Sequence, residues 1–366
     1  MTLFHWSPAH AAAIPRDFPA APVFAAADAP RVVPGLDLWD HWPVQEEDGR
    51  VAEIAGGALV IALSAPVLPD PDQRHGIARL RLLHRTGDAW RDLGDLLPDG
   101  FSSGSREWAG SATINAKHDR VTLYFTAAGR RGEATVSFEQ RLFETSATLD
   151  GLACRDWSPP REMVAPDGVD YEIDMAGGGA IGTIKAFRDP YSFQDPAGGG
   201  GFALFAASRA GSCSGWNGLV GLARREGEGW TLFRPIVDAQ GLNNELERPH
   251  AIVHDGLTYL FWSTQAKVFA PDGPVGPTGL YGLVADSIAG PWAPLNGHGL
   301  VFGNPPAAPH QAYSWQVLPD LSVWGFADLV GLARPPRDAA EARAHFAGAP
   351  APVLRLRLEG DWAGLV

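Results

Sequence analysis

The sequence predicts an all-β protein, built as a sandwich, a barrel or a propeller. Most of the chain consists of short runs of β-branched and aromatic residues that alternate in polarity or are wholly apolar over about 5–8 residues, as strands are. Between these runs, Gly (43 residues) and Pro (31 residues) are abundant, which is typical of a chain that turns often. Representative runs are RVTLYFTAA (Arg120–Ala128), GFALFAAS (Gly201–Ser208), LTYLFWST (Leu257–Thr264) and VLRLRLEG (Val353–Gly360).

Five clusters of polar and aromatic residues recur along the chain. They centre on Asp40, Trp108, Asp189, Glu247 and Tyr313, at separations of 68, 81, 58 and 66 residues. That spacing leaves enough chain between clusters for one four-stranded blade with its loops. Although a strict sequence repeat is lacking, the spacing suggests a propeller, in which each blade would bring one cluster to the central axis.

Two short segments and the domain organisation can also be predicted. The run from Asp338 to Gly348 is the one good helical candidate, with an Asp cap and a Gly stop. The glycine run Gly198–Gly201 predicts a hairpin turn. Because no biased linker divides the chain, we expect one catalytic domain over residues 1–366, with residues 1–30 as an N-terminal extension that packs on the propeller.

The composition, 45% hydrophobic and 19% charged residues, is typical of a soluble globular protein. The formal net charge of −13 makes nucleic acid and anionic membranes unfavourable partners, although solubility alone also explains such a charge. No stretch approaches the roughly 20 apolar residues of a membrane span. The N-terminus lacks the basic region of a signal peptide, so we expect a cytoplasmic protein or one exported by a signal-independent route.

The cysteines and tryptophans carry further information. Cys154 and Cys213 are too few for a disulfide framework or a zinc site, and we expect two free, mostly buried thiols. Tryptophan is costly in a core because its N–H needs a partner, whereas its flat apolar face suits the C–H faces of sugar rings. The 13 tryptophans therefore either pack the blades or line a sugar pocket.

The first two clusters contain indole rings. In LDLWDHWPVQ, Asp40 lies between Trp39 and Trp42, so the rings can stack on a sugar while the carboxylate attacks its anomeric carbon. An aspartate in a turn beside two packing tryptophans explains the same pattern. In REWAGSAT, Trp108 is either a wall of a sugar pocket or a tryptophan at a strand end.

The next two clusters bring charged residues together. In AFRDPYSF, Pro190 restricts Asp189 to extended conformations, so Arg188 and Asp189 either bind sugar hydroxyls or form a loop ion pair. In NNELERPH, Glu245 and Glu247 alternate along a predicted strand and point to the same face. Like charges close together raise the pKa of a carboxyl group, as a general acid requires, whereas the alternative is two solvated glutamates.

The last cluster ends in Tyr313, which either hydrogen-bonds a substrate hydroxyl or has a structural role. The 11 histidines are scattered. His250 and His254 are four residues apart, but Pro249 argues against a helical zinc pair. The sequence thus indicates neither a catalytic triad nor a metal or cofactor site.

Together, these motifs resemble glycoside hydrolase family 68, which comprises levansucrases, inulosucrases and bacterial β-fructofuranosidases. WDHWP, EWAGSAT, FRDP, ELERPH, GLTYLF, PLNGHGLV and AYS occur in the family's order between about Leu36 and about Trp315, and the chain looks closest to the short Gram-negative members. The resemblance implies a five-bladed β-propeller with a central, funnel-shaped pocket that cleaves sucrose without a cofactor.

The resemblance also implies a role for each site residue. Asp40 matches the nucleophile, Asp189 the carboxylate that holds fructosyl hydroxyls and stabilises the transition state, and Glu247 the acid/base. Such a retaining reaction requires the two reacting carboxyl groups to lie about 5–5.5 Å apart. The other substrate-binding positions are matched by Trp39 and Trp108 as pocket walls, and by Arg188, Glu245, Arg248, Gln265 and Tyr313 as polar contacts.

Four positions depart from the residues usual in the family. Ala109 replaces a Ser that hydrogen-bonds the nucleophile, and Ala206 replaces a Glu. Gln265 replaces an Arg or His common in levan formers, and Asn244 replaces an Asp that ligates calcium in Gram-positive members. We therefore expect intact sucrose cleavage, with fructose passed to water, sugars or fructo-oligosaccharides.

Three alternatives remain beside this expectation. One is a levansucrase or inulosucrase that makes long fructan. Another is a different five-bladed glycosidase, which in an inverting form would place its carboxyl groups about 6.5–9.5 Å apart. The last is a non-catalytic sugar-binding propeller, which the presence of all three carboxylates disfavours.

Overall fold

The structure, a computed structural model, describes residues 1–175, 178–197 and 200–366. Within these residues the strands form five consecutive, mainly antiparallel groups, which confirm the predicted five-bladed β-propeller. Ahead of the first blade lie β1 (Phe4–His5) and α1 (Pro8–Ala12). None of the described helices is long and apolar enough to cross a membrane.

The first two blades share one nine-stranded sheet, because their innermost strands also pair in parallel at Val44–Ala112 and Gln45–Thr113. The first blade comprises β2 (Leu36–Gln45), β3 (Ala58–Pro66), β4 (Arg79–Thr86) and β5 (Ala89–Asp95). The second comprises β6 (Arg106–Ile114), β7 (Arg120–Ala128), β8 (Gln140–Asp150) and, both paired with β8, β9 (Ala153–Arg155) and β10 (Arg161–Glu162).

The remaining three blades are separate sheets. The third comprises β11 (Phe187–Asp195), β12 (Gly200–Ser208), β13 (Gly218–Glu226) and β14 (Gly229–Asp238), with β1 added in parallel to β14. The fourth comprises β15 (Glu247–His254), β16 (Leu257–Thr264), β17 (Gly279–Ala285), β18 (Ala293–Pro294) and β19 (Leu300–Gly303). The fifth comprises β20 (Ala312–Val317), β21 (Ser322–Leu329), α2 (Ala339–His345), β22 (Phe346–Pro350), β23 (Leu354–Glu359) and β24 (Trp362–Leu365).

The predicted helix is confirmed, with a different end. The Asp338 carboxylate accepts the backbone N–H of Glu341 at 2.8 Å and so caps α2 as expected. The predicted stop at Gly348 is wrong, because α2 ends at His345 and Gly348 lies in β22 with a φ of +58°. A Cβ at Gly348 would meet the Asp37 carboxylate at 2.6 Å, so close approach explains this glycine.

The predicted hairpin turn and the thiols have different outcomes. β11 and β12 pair antiparallel up to Asp195–Gly200, but the predicted turn at Gly198–Gly201 lies partly outside the described residues. Both cysteines are free, as expected. The expectation that both are mostly buried is wrong, because Cys213 is exposed and Cys154 only half-buried.

The innermost strands β2, β6, β11, β15 and β20 surround the axis, and each contacts the next, while β21 and β22 close the ring against β2. Each of these five strands carries a β-bulge, where its register against the neighbouring strand slips by one residue. A bulge interrupts the alternation of side chains and re-aims one of them. The consecutive pairs at the bulges are Trp39–Asp40, Trp108–Ala109, Arg188–Asp189, Glu247–Arg248 and Tyr313–Ser314.

The N-terminal segment is attached to the fourth blade through Trp6. Its indole is fully buried and meets the rings of Trp262 and Phe269 edge-on, at centroid distances of 5.3 and 5.7 Å. Its Nε1 donates to the backbone oxygen of His298 at 3.3 Å. The division into one catalytic domain with residues 1–30 as an extension stays a prediction.

Replacing Trp6 by Ala should lower the free energy of unfolding by about 3–5 kcal/mol, because it removes a large buried ring and leaves a cavity. Thermal or urea unfolding followed by circular dichroism measures the loss. Trp362, which is 45% exposed, provides the matched control. Trp362→Ala should cost less than half as much, and equal losses would show that Trp6 is not a specific anchor.

Candidate active site

Backbone strain accompanies the bulges at the axis. Asp40, Asp189, Arg248 and Ser314 have φ values of +29°, +63°, +49° and +61°, in the region that residues other than glycine avoid. Such a residue costs about 1–3 kcal/mol and persists only where its surroundings over-determine it, often at a functional site. The expectation that Pro190 keeps Asp189 extended is therefore wrong, because the bulge imposes a left-handed φ.

Arg188 joins the carboxylates of two neighbouring blades. Its Nη2 lies 2.6 Å from Glu245 Oε2 and 2.9 Å from Glu247 Oε1, and its Nε lies 3.7 Å from Asp189 Oδ2. Glu245 and Glu247 therefore point to the same side, as predicted, but the predicted strand through both is wrong, because β15 begins at Glu247. Burial lowers the pKa of Arg188, but the three carboxylates outweigh burial and raise it, so the guanidinium stays charged.

Asp40 lies among charges of both signs. Burial raises the pKa of the Asp40 carboxyl, and the nearby charge of Glu247 raises it further. The positive charges of Arg248 and Arg74 and a hydrogen bond from Ser314 act in the opposite direction. These opposing effects leave the pKa of Asp40 above its ordinary value, and removing any of the three opposing groups would raise it further.

Asp189 belongs to the same charge cluster. Its Oδ2 accepts the backbone N–H of Arg248 at 3.2 Å, and its own N–H donates to Thr126 Oγ1 at 2.9 Å. Burial raises the pKa of Asp189 to about 7, and the charges of Glu247 and Asp40 contribute to that rise. The electrostatic coupling of Asp40, Asp189 and Glu247 shows that the three predicted carboxylates share one site.

Glu247 is held from two directions. Arg188 donates to its Oε1, and the Tyr313 hydroxyl donates to its Oε2. Burial and the charge of Glu247 raise the pKa of Tyr313 well above its ordinary value, so this phenol remains a donor at neutral pH. Burial and Glu247 also raise the pKa of Glu245. The Glu247 side chain is still 22% exposed, so a ligand in the pocket can reach it.

Two indole rings are linked by the 3-10 turn Pro71–Gly76. The Trp108 Nε1 donates to the backbone oxygen of His75 at 3.1 Å, and the His75 ring meets the Trp39 ring edge-on at 5.8 Å. The Arg74 guanidinium lies 5.3 Å from the centre of the Trp39 ring. One turn thus fixes both predicted pocket walls relative to each other.

The other predicted contact residues are placed as follows. Arg248 is 7% exposed and donates to protein groups, so its assignment as a substrate contact stays a prediction. Gln265 is half-buried and precedes the 3-10 turn Ala266–Val268. Lys267 in that turn is close enough to Glu245 for its charge to lower the pKa of that carboxyl against the larger effect of burial. The assignment of Gln265 as an acceptor-side contact stays a prediction.

Two of the unusual positions also border the site. Ala206 is paired directly opposite Arg188 across β11 and β12, so the two side chains share one face of the sheet. A glutamate at position 206 would add a carboxylate beside Arg188, and this chain lacks that charge. Asn244 donates to Glu245 Oε1 at 3.1 Å and to the backbone oxygen of Ile184 at 3.3 Å.

Several residues of the site were missed from the sequence. Gln140 accepts from Arg188 Nη1 at 3.3 Å and from the Phe187 N–H at 3.1 Å, which positions the guanidinium. Asp328 lies near Arg74 and Lys267, and the charge of Asp40 adds to the effect of burial in raising its pKa. Gln140 lies on β8 and Asp328 on β21, outside the five innermost strands, where motif spacing gives no sign of proximity to the axis.

The site has the composition of a carbohydrate-cleaving centre. Glycoside cleavage commonly uses a pair of carboxyl groups, one that protonates the leaving group and one that acts on the anomeric carbon. Aromatic walls bind the apolar face of a sugar. The fold and the site thus define a glycoside-cleaving β-propeller.

Comparison with known proteins gives the family. The chain belongs to the Levansucrase/Invertase family, glycoside hydrolase family 68, whose profile matches residues 4–217 and 208–365. A levansucrase of Pseudomonas savastanoi pv. glycinea is 31% identical over 379 residues, covering 92% of this chain and 84% of that protein. An extracellular sucrase of Zymomonas mobilis is 28% identical over 368 residues, covering 91% of this chain and 85% of that protein.

A solved structure agrees with both sequence relatives. The inulosucrase of Halalkalicoccus jeotgali, bound to kestose, superposes with a TM-score of 0.90 at 36% sequence identity. The match covers 100% of this chain and 95% of that one. The resemblance inferred from the motifs is thereby confirmed.

Asp328→Asn should stabilise the fold at alkaline pH. Burial raises the pKa of Asp328 to about 6 against the opposing charges of Arg74 and Lys267. A raised pKa means that the folded chain holds the proton more tightly, so stability is lost as pH rises through the folded pKa. We expect the variant to gain about 1–3 kcal/mol at pH 8 and nothing below about pH 4.

Thermal melting at both pH values measures this gain. Asp88, which is exposed, provides the control, and Asp88→Asn should change the melting temperature little at either pH. A gain for Asp328→Asn that is equal at both pH values would contradict the burial of an ionised carboxylate at position 328.

Proposed function

We propose that this protein cleaves sucrose with retention of configuration, through a covalent fructosyl-enzyme. Asp40 is the nucleophile, Asp189 stabilises the transition state, and Glu247 is the acid/base. The observation that carries the proposal is that Asp189 on the third blade and Glu247 on the fourth both lie against Arg188, while Asp40 on the first blade is close enough for its charge to raise the pKa of Asp189. Membership of a family of sucrose-active enzymes identifies the substrate class.

In the first step, Glu247 protonates the glucosyl oxygen of sucrose while the Asp40 carboxylate attacks C2 of the fructosyl group. The glycosidic bond breaks, glucose leaves with the proton, and a bond forms between C2 and Asp40. Positive charge develops on the fructosyl ring in this transition state, and the neighbouring Asp189 carboxylate stabilises it. Arg188 and Tyr313 hold the Glu247 carboxyl in place during the transfer.

In the second step, Glu247 takes a proton from the incoming acceptor, whose oxygen attacks C2 and releases Asp40. Water gives free fructose, and a sugar hydroxyl gives a fructosylated product. We propose transfer to water, sugars and short fructo-oligosaccharides. The absence of a carboxylate at Ala206 and of a cation at Gln265 supports weak retention of long acceptors.

Synthesis of long fructan is the second candidate function. It is favoured by the similarity to a protein named as a levansucrase and to one named as an inulosucrase. Lys267 and Asp328, which lie near the charge cluster, offer an acceptor charged groups that Gln265 and Ala206 do not.

One assay separates these outcomes. The protein is incubated with sucrose, glucose and free fructose are measured separately, and the remaining sugar is sized by chromatography. Equal amounts of glucose and fructose identify a hydrolase, and an excess of glucose identifies a transferase. Absence of any glucose release would contradict the proposed function.

Glu247→Gln should lower kcat on sucrose by about 10²–10⁴-fold, because the leaving glucose then lacks its proton donor. The amide preserves the size of the side chain, so substrate affinity should change much less. Initial rates of glucose release measure the loss. The exposed Glu53 provides the control: Glu53→Gln should retain the wild-type rate. Wild-type turnover in Glu247→Gln would rule out the acid/base role.

A further inference from the structure

The Arg248 side chain is hydrogen-bonded to other groups of the protein. Its Nη1 donates to the Ser314 backbone oxygen at 3.1 Å and to the Ser314 Oγ at 3.0 Å. Its Nη2 donates to the His41 backbone oxygen at 3.1 Å and to Gln316 Oε1 at 3.2 Å. These four hydrogen bonds run from the fourth blade to the fifth and the first, and they occupy the two terminal nitrogens of the guanidinium.

The backbone of Arg248 adds a fourth blade to this network. Its N–H donates to Asp189 Oδ2 on the third blade at 3.2 Å, and its carbonyl lies 2.9 Å from the His250 Nδ1. The guanidinium also lies 5.6 Å from the centre of the Trp42 ring. A buried guanidinium held by this many partners has one orientation, and so have the groups bonded to it.

Ser314 connects Arg248 to Asp40. A serine hydroxyl has one hydrogen and two lone pairs. Because the Ser314 Oγ accepts from Arg248, its hydrogen is available for a carboxylate, and Ser314 hydrogen-bonds the Asp40 side chain. Both Arg248 and Ser314 have a left-handed φ, so the bulges hold this pair in place at a cost in strain.

We propose that Arg248 and Ser314 are positioning residues. The Arg248 guanidinium donates to the Ser314 hydroxyl, which in turn donates to the Asp40 carboxylate, and the pair thereby keeps the nucleophile ionised and correctly oriented. Arg248 then acts through Ser314 and through its charge, and it makes no contact with the substrate. This inference rests on the proposed function, because it assumes that Asp40 is the nucleophile.

The surroundings of Asp40 oppose the ionisation of its carboxyl group. Burial and negative charges favour the protonated, unreactive form of Asp40, whereas Arg248, Ser314 and Arg74 favour the carboxylate. The charged or titratable groups that act on Asp40, or on which Asp40 acts, come from five elements. They are Arg74 from the 3-10 turn, Asp189 from β11, Glu247 and Arg248 from β15, Tyr313 from β20 and Asp328 from β21.

Ser314→Ala tests the relay directly. Loss of a hydrogen bond to the carboxylate should lower kcat on sucrose by about 10–100-fold, with KM nearly unchanged. The acid limb of the pH profile of kcat/KM should move to higher pH by about 1–2 units, because a nucleophile with a raised pKa ionises later. A purely structural serine would not move this limb, and an unmoved limb contradicts the relay.

Ser263 provides a matched control. It is also a buried serine, and its Oγ accepts the backbone N–H of Trp315, next to Ser314, at 2.9 Å. Ser263→Ala should lower the melting temperature without moving the acid limb. Ser314→Thr, which keeps the hydroxyl, should return the limb to its wild-type position, although a β-branched residue at this φ will reduce stability.

Arg248→Lys separates positioning from substrate binding. A lysine keeps the charge but cannot make the same paired contacts, so we expect a lower kcat and an unchanged KM for sucrose. A raised KM with kcat preserved would show that Arg248 binds substrate and would overturn the proposal. Should this variant fail to fold, Ser314→Ala still decides the question.

The activity of the wild-type protein on sucrose distinguishes failure of the relay from failure of the proposed function. If the wild type cleaves sucrose and the acid limb of Ser314→Ala stays in place, only the relay is wrong. If the wild type does not cleave sucrose at all, the proposed function itself is wrong.

Discussion

The β-bulge in each innermost strand is the constraint on which the site depends. A regular strand would present alternate residues to the axis, so Asp40 and Trp39, or Glu247 and Arg248, would point to opposite faces. The inserted residue breaks this alternation. Five bulged strands closed into a ring give a small region lined by consecutive residues from every blade, and the left-handed φ values at the bulges are the cost of that arrangement.

The charged groups at the axis affect one another's pKa values. Arg188 and Arg248 lie among the carboxyl groups of Asp40, Asp189, Glu245 and Glu247, so negative charge is in excess within this group. Burial raises the pKa of Asp189, and the negative charges of Glu247 and Asp40 add to that rise. The same excess suits a reaction whose transition state develops positive charge on the sugar ring. The excess of buried negative charge is costly for stability, but it favours the positively charged transition state.

The sequence was sufficient for the fold class and for the residues at the bulges. Each bulge pair lies in a short motif with unusual composition, and there is one such motif per blade. Their spacing suggested a propeller, and the resemblance to glycoside hydrolase family 68 implied its five blades and central pocket. Asp328, Gln140 and Lys267 were not predicted, because their approach to the axis depends on how outer strands and turns fold back. The φ of Asp189 was mispredicted for a related reason: local proline chemistry favours an extended residue, and tertiary bulge geometry overrides it.

Formation of a fructosyl bond to Asp40 is the central claim, and one measurement tests it most directly. In Glu247→Gln, β-D-fructofuranosyl fluoride should still react, because fluoride leaves without a proton, whereas the second step lacks its base. The intermediate should then accumulate, and peptide mapping by mass spectrometry should find one fructosyl group on the peptide that contains Asp40. Fluoride release without an adduct on that peptide, or an adduct on a different carboxylate, would contradict the account.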